Sequence, residues 1–399
     1  MFDALTNRSF RRLWPAAWLW YTCRWVELTV LSWLVLELTD SPSEVALVGV
    51  SRLAPMFLLG VVAGSLADRF PKKRVMMGLQ TVNLVVSFSM TLVIFARTVQ
   101  PWHTFVYMFI IGIAWTVDFP VRRSYYSELF EATRLANAMS LESVALTGSS
   151  MLGPLLGGSL ISLVGYGGTY IVIVAMYLVG FILLLSLRNE DRPRAPLPTG
   201  SVTTQLVEGV RMVQANRTIW AVLMVTILMN LLGFSYRQLV PVIARDVLKV
   251  GSTLYGVLGA APGLGSLIGS FVIASRQVRR QVTLFSLGAT LVLAALFSFA
   301  LPSVYLLSLA LLLVAGVGIS GFGTMQSTII LQAAPPGMRG RAMGVLALAI
   351  GVAPLGAFLV GQLAEVIGVQ AALALVAGIG FLVLNILRWR FPELHDRAV

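Results

Sequence analysis

The chain has 399 residues, of which 57% are hydrophobic and 12% charged, with a formal net charge of +12 and a mean hydropathy of +0.86. A water-soluble globular domain carries about 25% charged residues, so this composition excludes that class and places the chain in a lipid bilayer. A basic excess can also indicate a nucleic-acid partner, and the positions of the basic residues decide between the two explanations.

Twelve apolar segments cover almost the whole chain. A bilayer core about 30 Å thick requires roughly 20 apolar residues in a spanning helix. We predict spans at 14–38, 44–66, 75–96, 102–125, 137–163, 168–187, 218–240, 253–275, 282–300, 303–328, 342–364 and 369–389. These runs are continuously apolar, whereas a spanning barrel shows alternating polarity in segments of about ten residues. The sequence therefore predicts an all-α integral membrane protein with twelve transmembrane helices.

Basic residues fall mainly on one side of this topology. The exceptions are three on the opposite side and three within spans, namely Arg97, Arg245 and Lys249, and Arg24, Arg52 and Arg237. This bias follows the positive-inside rule, so it indicates orientation rather than a nucleic-acid partner. Both termini are expected in the cytoplasm. The first apolar run lacks a small-residue cleavage site and is long enough to span, so we expect it to remain as helix 1.

A polar, Pro-rich segment at 188–200 separates two groups of six spans. We predict an N-terminal six-helix bundle at 1–188, a cytoplasmic linker at 189–217 and a C-terminal six-helix bundle at 218–399. Within the linker, apolar residues recur near every fourth position, at Val202, Leu206, Val210 and Val213. That period predicts an amphipathic helix on the inner membrane surface.

The two halves share faint repetition. Gly60 and Gly64 end the second span, and Gly265 and Gly269 occupy a corresponding place in the eighth. Each pair predicts an interface of small residues at which helices approach closely.

A charged run, Gly64-Ser-Leu-Ala-Asp68-Arg69-Phe-Pro-Lys72-Lys73-Arg74, follows the second span. It resembles the loop signature between helices 2 and 3 of the major facilitator superfamily of transporters. The resemblance implies two pseudo-symmetric six-helix bundles and transport by alternating access. It also implies that Asp68, Arg69 and Arg74 act in gating, with Asp68 capping a facing helix in one state and releasing it in the other.

Helix 5 carries a second signature, Gly153, Pro154, Gly157 and Gly158. It resembles the end of the antiporter motif found in exporters of the superfamily, although the full motif has a glycine where this chain has Ser149. Further resemblance, at 36–42, 135–138, 208–209 and 241–248, is to the branch that contains the bacterial enterobactin exporter and proteins assigned as multidrug or macrolide exporters. That branch implies a multi-pass protein of the bacterial cytoplasmic membrane. Generic helix packing is the alternative interpretation of the helix 5 motif, since Gly and Pro are frequent in membrane helices.

Helix 1 contains ionisable residues that are costly in a bilayer. Trp20, Arg24, Glu27 and Leu31 project to one side at about 100° per residue. Helix 1 lines the central cavity in the superfamily, so this face is the candidate cavity wall. Glu27 is the candidate proton carrier. Alternatively, Arg24 and Glu27 form a permanent ion pair, which would make the site structural.

Helix 4 places Trp115, Asp118 and Arg122 on one face, and the last two can pair at i, i+4. The family pattern suggests that Arg122 also links to Asp68 as an inner gate. In helix 5, Glu142 is expected to be an interfacial carboxylate that pairs with Arg122, Arg123 or Arg134, and the alternative is a coupling site.

Helix 7 has Asn230, Phe234 and Arg237 along one face. It lines the cavity in the superfamily, so these residues, together with Trp20, Leu31 and Trp115, are substrate-cavity candidates. An inward Arg237 would favour a polar or anionic cargo. The alternative for Arg237 is snorkelling to the outer interface.

The favoured function is proton-coupled export of an amphipathic organic compound such as a drug or siderophore. The alternatives are an importer or uniporter of a small anionic metabolite or lipid, and a non-transporting membrane sensor. Catalytic constellations, phosphate loops and metal-ligand spacing are absent from the sequence, so we expect no enzyme activity, cofactor or metal. The expected partners are a small-molecule substrate, protons and membrane lipids, and we expect a monomer.

Replacing Asp68 tests its predicted gating role. Because Asp68→Asn removes the charge but keeps the size, we expect slower transport with cargo binding retained. Transport assays and equilibrium binding on the same preparation measure the two quantities. An unchanged transport rate would contradict the gating role.

Overall fold

The computed structural model describes residues 3–187, 210–275, 280–301, 303–335 and 338–395, without the side chains of residues 3, 61–69, 132 and 133. Over these ranges the secondary structure is helical and contains no strand. Such a chain satisfies its backbone hydrogen bonds inside each helix, as hydrocarbon requires. The fold-class prediction is confirmed.

Six helices form the first half of the chain. They are α1 (Phe10–Thr39), α2 (Pro42–Arg69), α3 (Lys72–Phe95), α4 (Pro101–Leu129) and one helical run, Ala132–Leu185, which Gly165 divides into α5 (132–164) and α6 (166–185). The predicted spans fall inside these helices or extend one or two residues beyond them. Each helix adds further residues, because α-helical hydrogen bonding continues past the apolar segment.

Six helices also form the second half. They are α7 (Arg217–Val247), α8 (Ser252–Ala274), α9 (Gln281–Phe299), α10 (Tyr305–Ala333), α11 (Arg339–Ile367) and α12 (Val369–Arg390). Ten helical segments among the described residues are long and apolar enough to cross a membrane, with α5 and α6 counted as one. The remaining helix, α1, is long enough at 30 residues but more polar, since it contains Arg24 and Glu27.

Single glycines join two consecutive helix pairs. Gly165 has φ 69° and ψ −177°, and Gly368, between α11 and α12, has φ 82° and ψ 154°. These backbone angles are strained for a residue with a Cβ and accessible to glycine. The same sharp connection therefore occurs at the same place in each half, which is a structural counterpart of the faint sequence repetition.

The α7 helix continues beyond its predicted end at residue 240. Its hydrogen bonding changes to i→i+5 at Met229–Gly233, tightens to a 3₁₀ turn at Phe234–Gln238 and becomes i→i+5 again at Ile243–Val247. Pro241 has no N–H to donate, and Ile243 N donates to Leu239 O at 2.9 Å beside it. The boundary prediction was wrong because these local changes carry the helix past the proline.

Two compact units divide the chain. The first comprises residues 1–39, 51–198 and 252–256, and the second comprises 40–50, 199–251 and 257–399. The Pro-rich segment at 188–200 lies outside the described residues, as does most of the predicted amphipathic helix. Its end, 210–215, is helical, with Val213 buried. The proposed domain boundaries at 188 and 217 stay a prediction.

In the first unit, α5 packs closely on α1 through the glycines of the helix 5 motif. A Cβ at Gly153 would overlap the Cβ of Trp25, and one at Gly157 would lie 3.1 Å from the Cβ of Thr29. At Gly158 a Cβ would overlap the carbonyl oxygen of Ser252, at the start of α8. The motif thus removes side chains where backbones meet, the role of small residues between membrane helices.

In the second unit, Gly265 and Gly269 of α8 face α10. A Cβ at Gly265 would overlap Leu313 O, and one at Gly269 would overlap the hydroxyl of Ser320. Gly60, however, has no atom of the described residues within 4 Å of an added Cβ. The prediction of a close helix interface at Gly60 was therefore wrong, because no other helix in the described part of the chain packs against that position. The side-chain surroundings of Gly64 lie outside the described residues.

Adding one methyl group tests the α1–α5 contact. Gly153→Ala should lower the free energy of unfolding by about 1–3 kcal/mol, because the helices must separate to accommodate the Cβ. Gly78→Ala is the matched control, since no atom lies within 4 Å of its added Cβ. Thermal unfolding in detergent, followed by tryptophan fluorescence, measures both. Equal midpoints for the two variants would contradict close packing at Gly153.

Candidate functional site

The predicted α1 face is buried inside the first unit. Relative exposures are 1% for Trp20, 7% for Arg24, and 0% for Glu27 and Leu31. A buried carboxylate and guanidinium require partners, because burying a charge without compensation is costly. The structure identifies those partners for Glu27 and for Arg24 separately.

Glu27 is held by a short hydrogen-bond chain. The Tyr107 hydroxyl of α4 donates to Glu27 Oε1 at 2.6 Å, and the Ser87 hydroxyl of α3 lies 2.9 Å from the Tyr107 oxygen. We call Ser87, Tyr107 and Glu27 the Glu27 chain. All three side chains are buried, and Tyr177 of α6 lies beside the carboxylate. The carboxylate is therefore stabilised by neutral hydroxyl groups.

Arg24 takes a different partner. Its guanidinium carbon lies 3.5 Å from the centroid of the Trp115 ring, a cation–π contact between α1 and α4. None of the ion pairs between described side chains joins Arg24 to Glu27. This structure therefore does not contain the alternative, a permanent i, i+3 pair between Arg24 and Glu27, because the Arg24 guanidinium stacks on Trp115.

Arg122 and Asp118 form a buried ion pair in α4. Arg122 Nε donates to Asp118 Oδ2 at 2.8 Å and Nη2 donates to Oδ1 at 3.0 Å, so the pair is bidentate. The same guanidinium lies over the Trp20 ring at 5.2 Å. Both charged side chains have 0% exposure. The pair neutralises two charges that the interior could not hold singly.

The gating residues are only partly described. The side chains of Asp68 and Arg69 lie outside the described residues, although the backbone of α2 ends at Arg69. Arg74 is exposed in the first turn of α3. A link between Asp68 and Arg122 therefore stays a prediction.

Glu142 differs from its prediction as an interfacial partner of arginine. It is 1% exposed and accepts hydrogen bonds from the Tyr126 hydroxyl at 2.7 Å and from the Tyr21 hydroxyl. None of the ion pairs between described side chains includes it. The prediction was wrong because α5 turns this carboxylate inward, where tyrosines from α1 and α4 reach it.

In the second unit, the three α7 candidates have different environments. Asn230 is 6% exposed and donates to Thr226 O at 2.9 Å. Phe234 is partly buried and packs edge-on against Phe322, with ring centroids 5.6 Å apart. Arg237 is exposed, with its guanidinium carbon 5.5 Å from the Phe234 ring centroid. An exposed cation beside an aromatic ring suits a polar ligand group.

A model of the MFS_3 family, described as a transmembrane secretion effector, matches residues 1–398. The chain belongs to this family. It is therefore a multi-pass membrane transporter of the major facilitator type and not an enzyme, as the sequence signatures predict.

Relatives of this transporter cover most of its length. It is 22% identical to the staphyloferrin A transporter of Staphylococcus aureus, over 89% of each chain. It is 23% identical to the multidrug efflux pump Tap of Mycolicibacterium fortuitum, over 93% of this chain and 92% of the relative. Macrolide efflux protein A of Streptococcus pyogenes is 19% identical, over 86% of each.

Solved structures share the fold of this transporter. A bacterial homologue of the human lysosomal transporter Spinster, inward-facing and occupied, aligns with a TM-score of 0.75 at 14% identity, over 98% of this chain and 100% of the other. A POT family transporter in complex with a thioalcohol-conjugated peptide aligns with a TM-score of 0.78 at 12% identity, over 97% and 96%. At such identities the likeness shows the fold alone.

Sequence reasoning missed the α3 face of this transporter. Gln80, Asn83, Ser87 and Thr91 are all buried, and their spacing of three or four residues places them on one side of the helix. That spacing is a readable signal of a polar face. It was overlooked because α3 contains no charged residue after its first turn.

The buried ion pair of this transporter predicts a large effect on stability. Asp118→Ala leaves the Arg122 charge uncompensated and should cost about 3–5 kcal/mol of unfolding free energy. Asp246→Ala breaks an exposed pair with Arg245, which keeps Asp40 as a partner at 2.7 Å, and should cost at most about 1 kcal/mol. Denaturant unfolding in detergent compares the variants. Similar losses would mean that Asp118 does not compensate Arg122.

Proposed function

We propose that this transporter exports an amphipathic organic compound in exchange for protons, by alternating access. One observation carries the proposal: Glu27 is a fully buried carboxylate that is bound by a tyrosine hydroxyl, and none of the ion pairs between described side chains joins it to an arginine. A carboxylate without a permanent cationic partner remains free to gain and lose a proton. Intramembrane carboxylates of this kind mark proton relays in transporters.

The charges around Glu27 support coupling to cargo. Arg24 and Arg52 both act on the carboxylate electrostatically. Protonation of Glu27 removes the one negative charge of this group and leaves two guanidinium groups. Each proton thus changes the balance of charge beside the candidate cavity wall, which is the change that an exchanger requires.

Helix packing supports the antiporter interpretation of the helix 5 motif. Gly153 and Gly157 bring α5 against the part of α1 that contains Trp25 and Thr29, and Glu27 lies between these two residues. Pro154 removes one backbone hydrogen bond from the same stretch. Movement of α5 would therefore act directly on the segment that carries the acid.

The relatives support export of an organic cargo. Their names denote efflux of drugs, efflux of macrolides and transport of staphyloferrin A. We propose cargo-contacting residues within each unit taken by itself, namely Trp20, Leu31 and Trp115 in the first unit and Asn230, Phe234 and Arg237 in the second. Asp68, Arg69, Arg74, Asp118 and Arg122 are proposed to act in gating. We further propose a monomer in a bacterial cytoplasmic membrane, in contact with lipids and with both termini cytoplasmic.

A second candidate function is import or uniport of a small anionic metabolite. The Arg24 guanidinium favours it, because it stacks on Trp115 and forms none of the ion pairs between described side chains. Such a group can bind a carboxylate or phosphate. The two functions differ in whether protons move with the cargo.

Purified transporter in liposomes with an internal pH dye separates these functions. The cargo panel would contain lipophilic cations, siderophores, macrolides, lysolipids and small anions. We expect cargo-driven proton movement in the wild type and its loss in Glu27→Gln, because the amide cannot bind the proton. Glu37→Gln is the matched control, since Glu37 is an exposed carboxylate of the same helix that also accepts a tyrosine hydrogen bond.

Two outcomes would contradict the proposal. Cargo movement without proton movement in the wild type would favour the uniporter. Undiminished proton movement in Glu27→Gln would place coupling at another residue.

A further inference from the structure

The Glu27 chain has a direction. A hydroxyl carries one proton, and Tyr107 donates its proton to Glu27 Oε1. The Ser87 hydroxyl must therefore be the donor in the 2.9 Å contact with Tyr107. Every hydrogen bond of the chain then points toward the carboxylate, which is the arrangement that delivers a proton to it.

At Ser87, the Glu27 chain meets the polar face of α3, which lies inside the first unit. Gln80 donates to Tyr177 O at 2.8 Å, and Ser87 contacts Tyr107, so the α3 face reaches two of the tyrosines that adjoin Glu27. Asn83 lies on this face between Gln80 and Ser87. Thr91, one turn beyond Ser87, is also buried, at 6% exposure.

Asn83 indicates that water belongs to this face. Its side chain is 0% exposed, and neither Oδ1 nor Nδ2 has a hydrogen-bond partner among the described residues. Leaving a buried amide unsatisfied costs about 1–3 kcal/mol for each group. Buried water is the ordinary partner of such groups in folded proteins.

The titratable groups around Glu27 include no second carboxylate among the described residues. The groups that bind Glu27 or interact with it electrostatically are a thiol, two guanidinium groups and three phenols, namely Cys23, Arg24, Arg52, Tyr107, Tyr170 and Tyr177. Glu27 is the one carboxylate of this set. A proton that enters along Ser87 and Tyr107 therefore reaches one acceptor.

We propose that the buried polar face of α3, from Thr91 through Ser87 and Asn83, is a hydrated proton path that serves Glu27 from inside the first unit. A hydronium ion on this face gives a proton to Ser87 and becomes water, while Ser87 gives its own proton to Tyr107 and Tyr107 gives its own to Glu27 Oε1. Each hydroxyl gains one proton and loses one, so Glu27 is the one protein group that changes charge. Release reverses these steps. Along this path, protons reach Glu27 by a route separate from that of the cargo. The inference rests on the proposed proton coupling at Glu27.

The first test separates proton supply from cargo handling. Tyr107→Phe and Ser87→Ala remove single hydroxyl groups, so both should lose export driven by a pH gradient while keeping exchange of labelled for unlabelled cargo, which needs no net proton movement. Ser89→Ala is the matched control, because Ser89 is exposed on the same helix and its hydroxyl donates to Val85 O at 2.9 Å, within its own helix. It should keep both activities.

Three results would overturn the path. Equal loss of gradient-driven export and of exchange would mean that the two hydroxyls have a structural role. Unimpaired gradient-driven export would mean that they carry no protons. Loss of gradient-driven export in Ser89→Ala would mean that the effect is not specific to the path. A wild type that moves cargo without protons would instead refute the proposed function. The two failures are therefore distinguishable.

A second test examines the water of this path directly. In an experimental structure at high resolution, we expect an ordered solvent molecule within hydrogen-bond distance of Asn83, and its loss in Asn83→Leu. Asn83→Leu should also lose gradient-driven export while keeping exchange. A direct protein partner for both polar atoms of Asn83 would overturn the hydrated path.

Discussion

Hydrocarbon offers no hydrogen bonds, and this constraint governs the interior of the first unit. The carboxylates that the helices carry inward need partners there. Two kinds of partner supply them: Asp118 binds Arg122, and Glu27 and Glu142 each accept from tyrosine hydroxyls. Tyrosine suits this task, because its ring is apolar and its hydroxyl can stabilise a carboxylate without adding a charge. The helix positions are fixed by these pairings as well as by packing.

Close contact between α1 and α5 makes the pairings possible. Glycines at 153 and 157 let the backbones approach, and the same approach brings Tyr21 of α1 to Glu142 of α5. Along one helix pair, the molecule therefore combines a dry, tightly packed contact and a buried carboxylate. Proton binding and helix movement would therefore both involve α1 and α5, which allows one to affect the other.

Sequence reasoning predicted the features that depend on short range. The spans follow from the length of apolar segments, the Asp118–Arg122 pair from a spacing of four, and the close α5 packing from its glycines. It did not predict the partners of Glu142 or the polar face of α3. Those depend on the rotation of each helix about its axis, and apolar residues report rotation poorly when protein interior and lipid are both apolar. Gly60 shows the same limit, since a small residue predicts a contact only if another helix lies opposite.

The single-residue connection at Gly165 has a mechanical consequence. One non-helical residue joins α5 and α6, so the two helices cannot move independently at this point. A displacement of the end of α5 must therefore displace the start of α6. Tyr170 and Tyr177 lie on α6 within about four turns of that point, beside Glu27. A shift of α5 thus moves α6 as well, and with it the tyrosines beside Glu27.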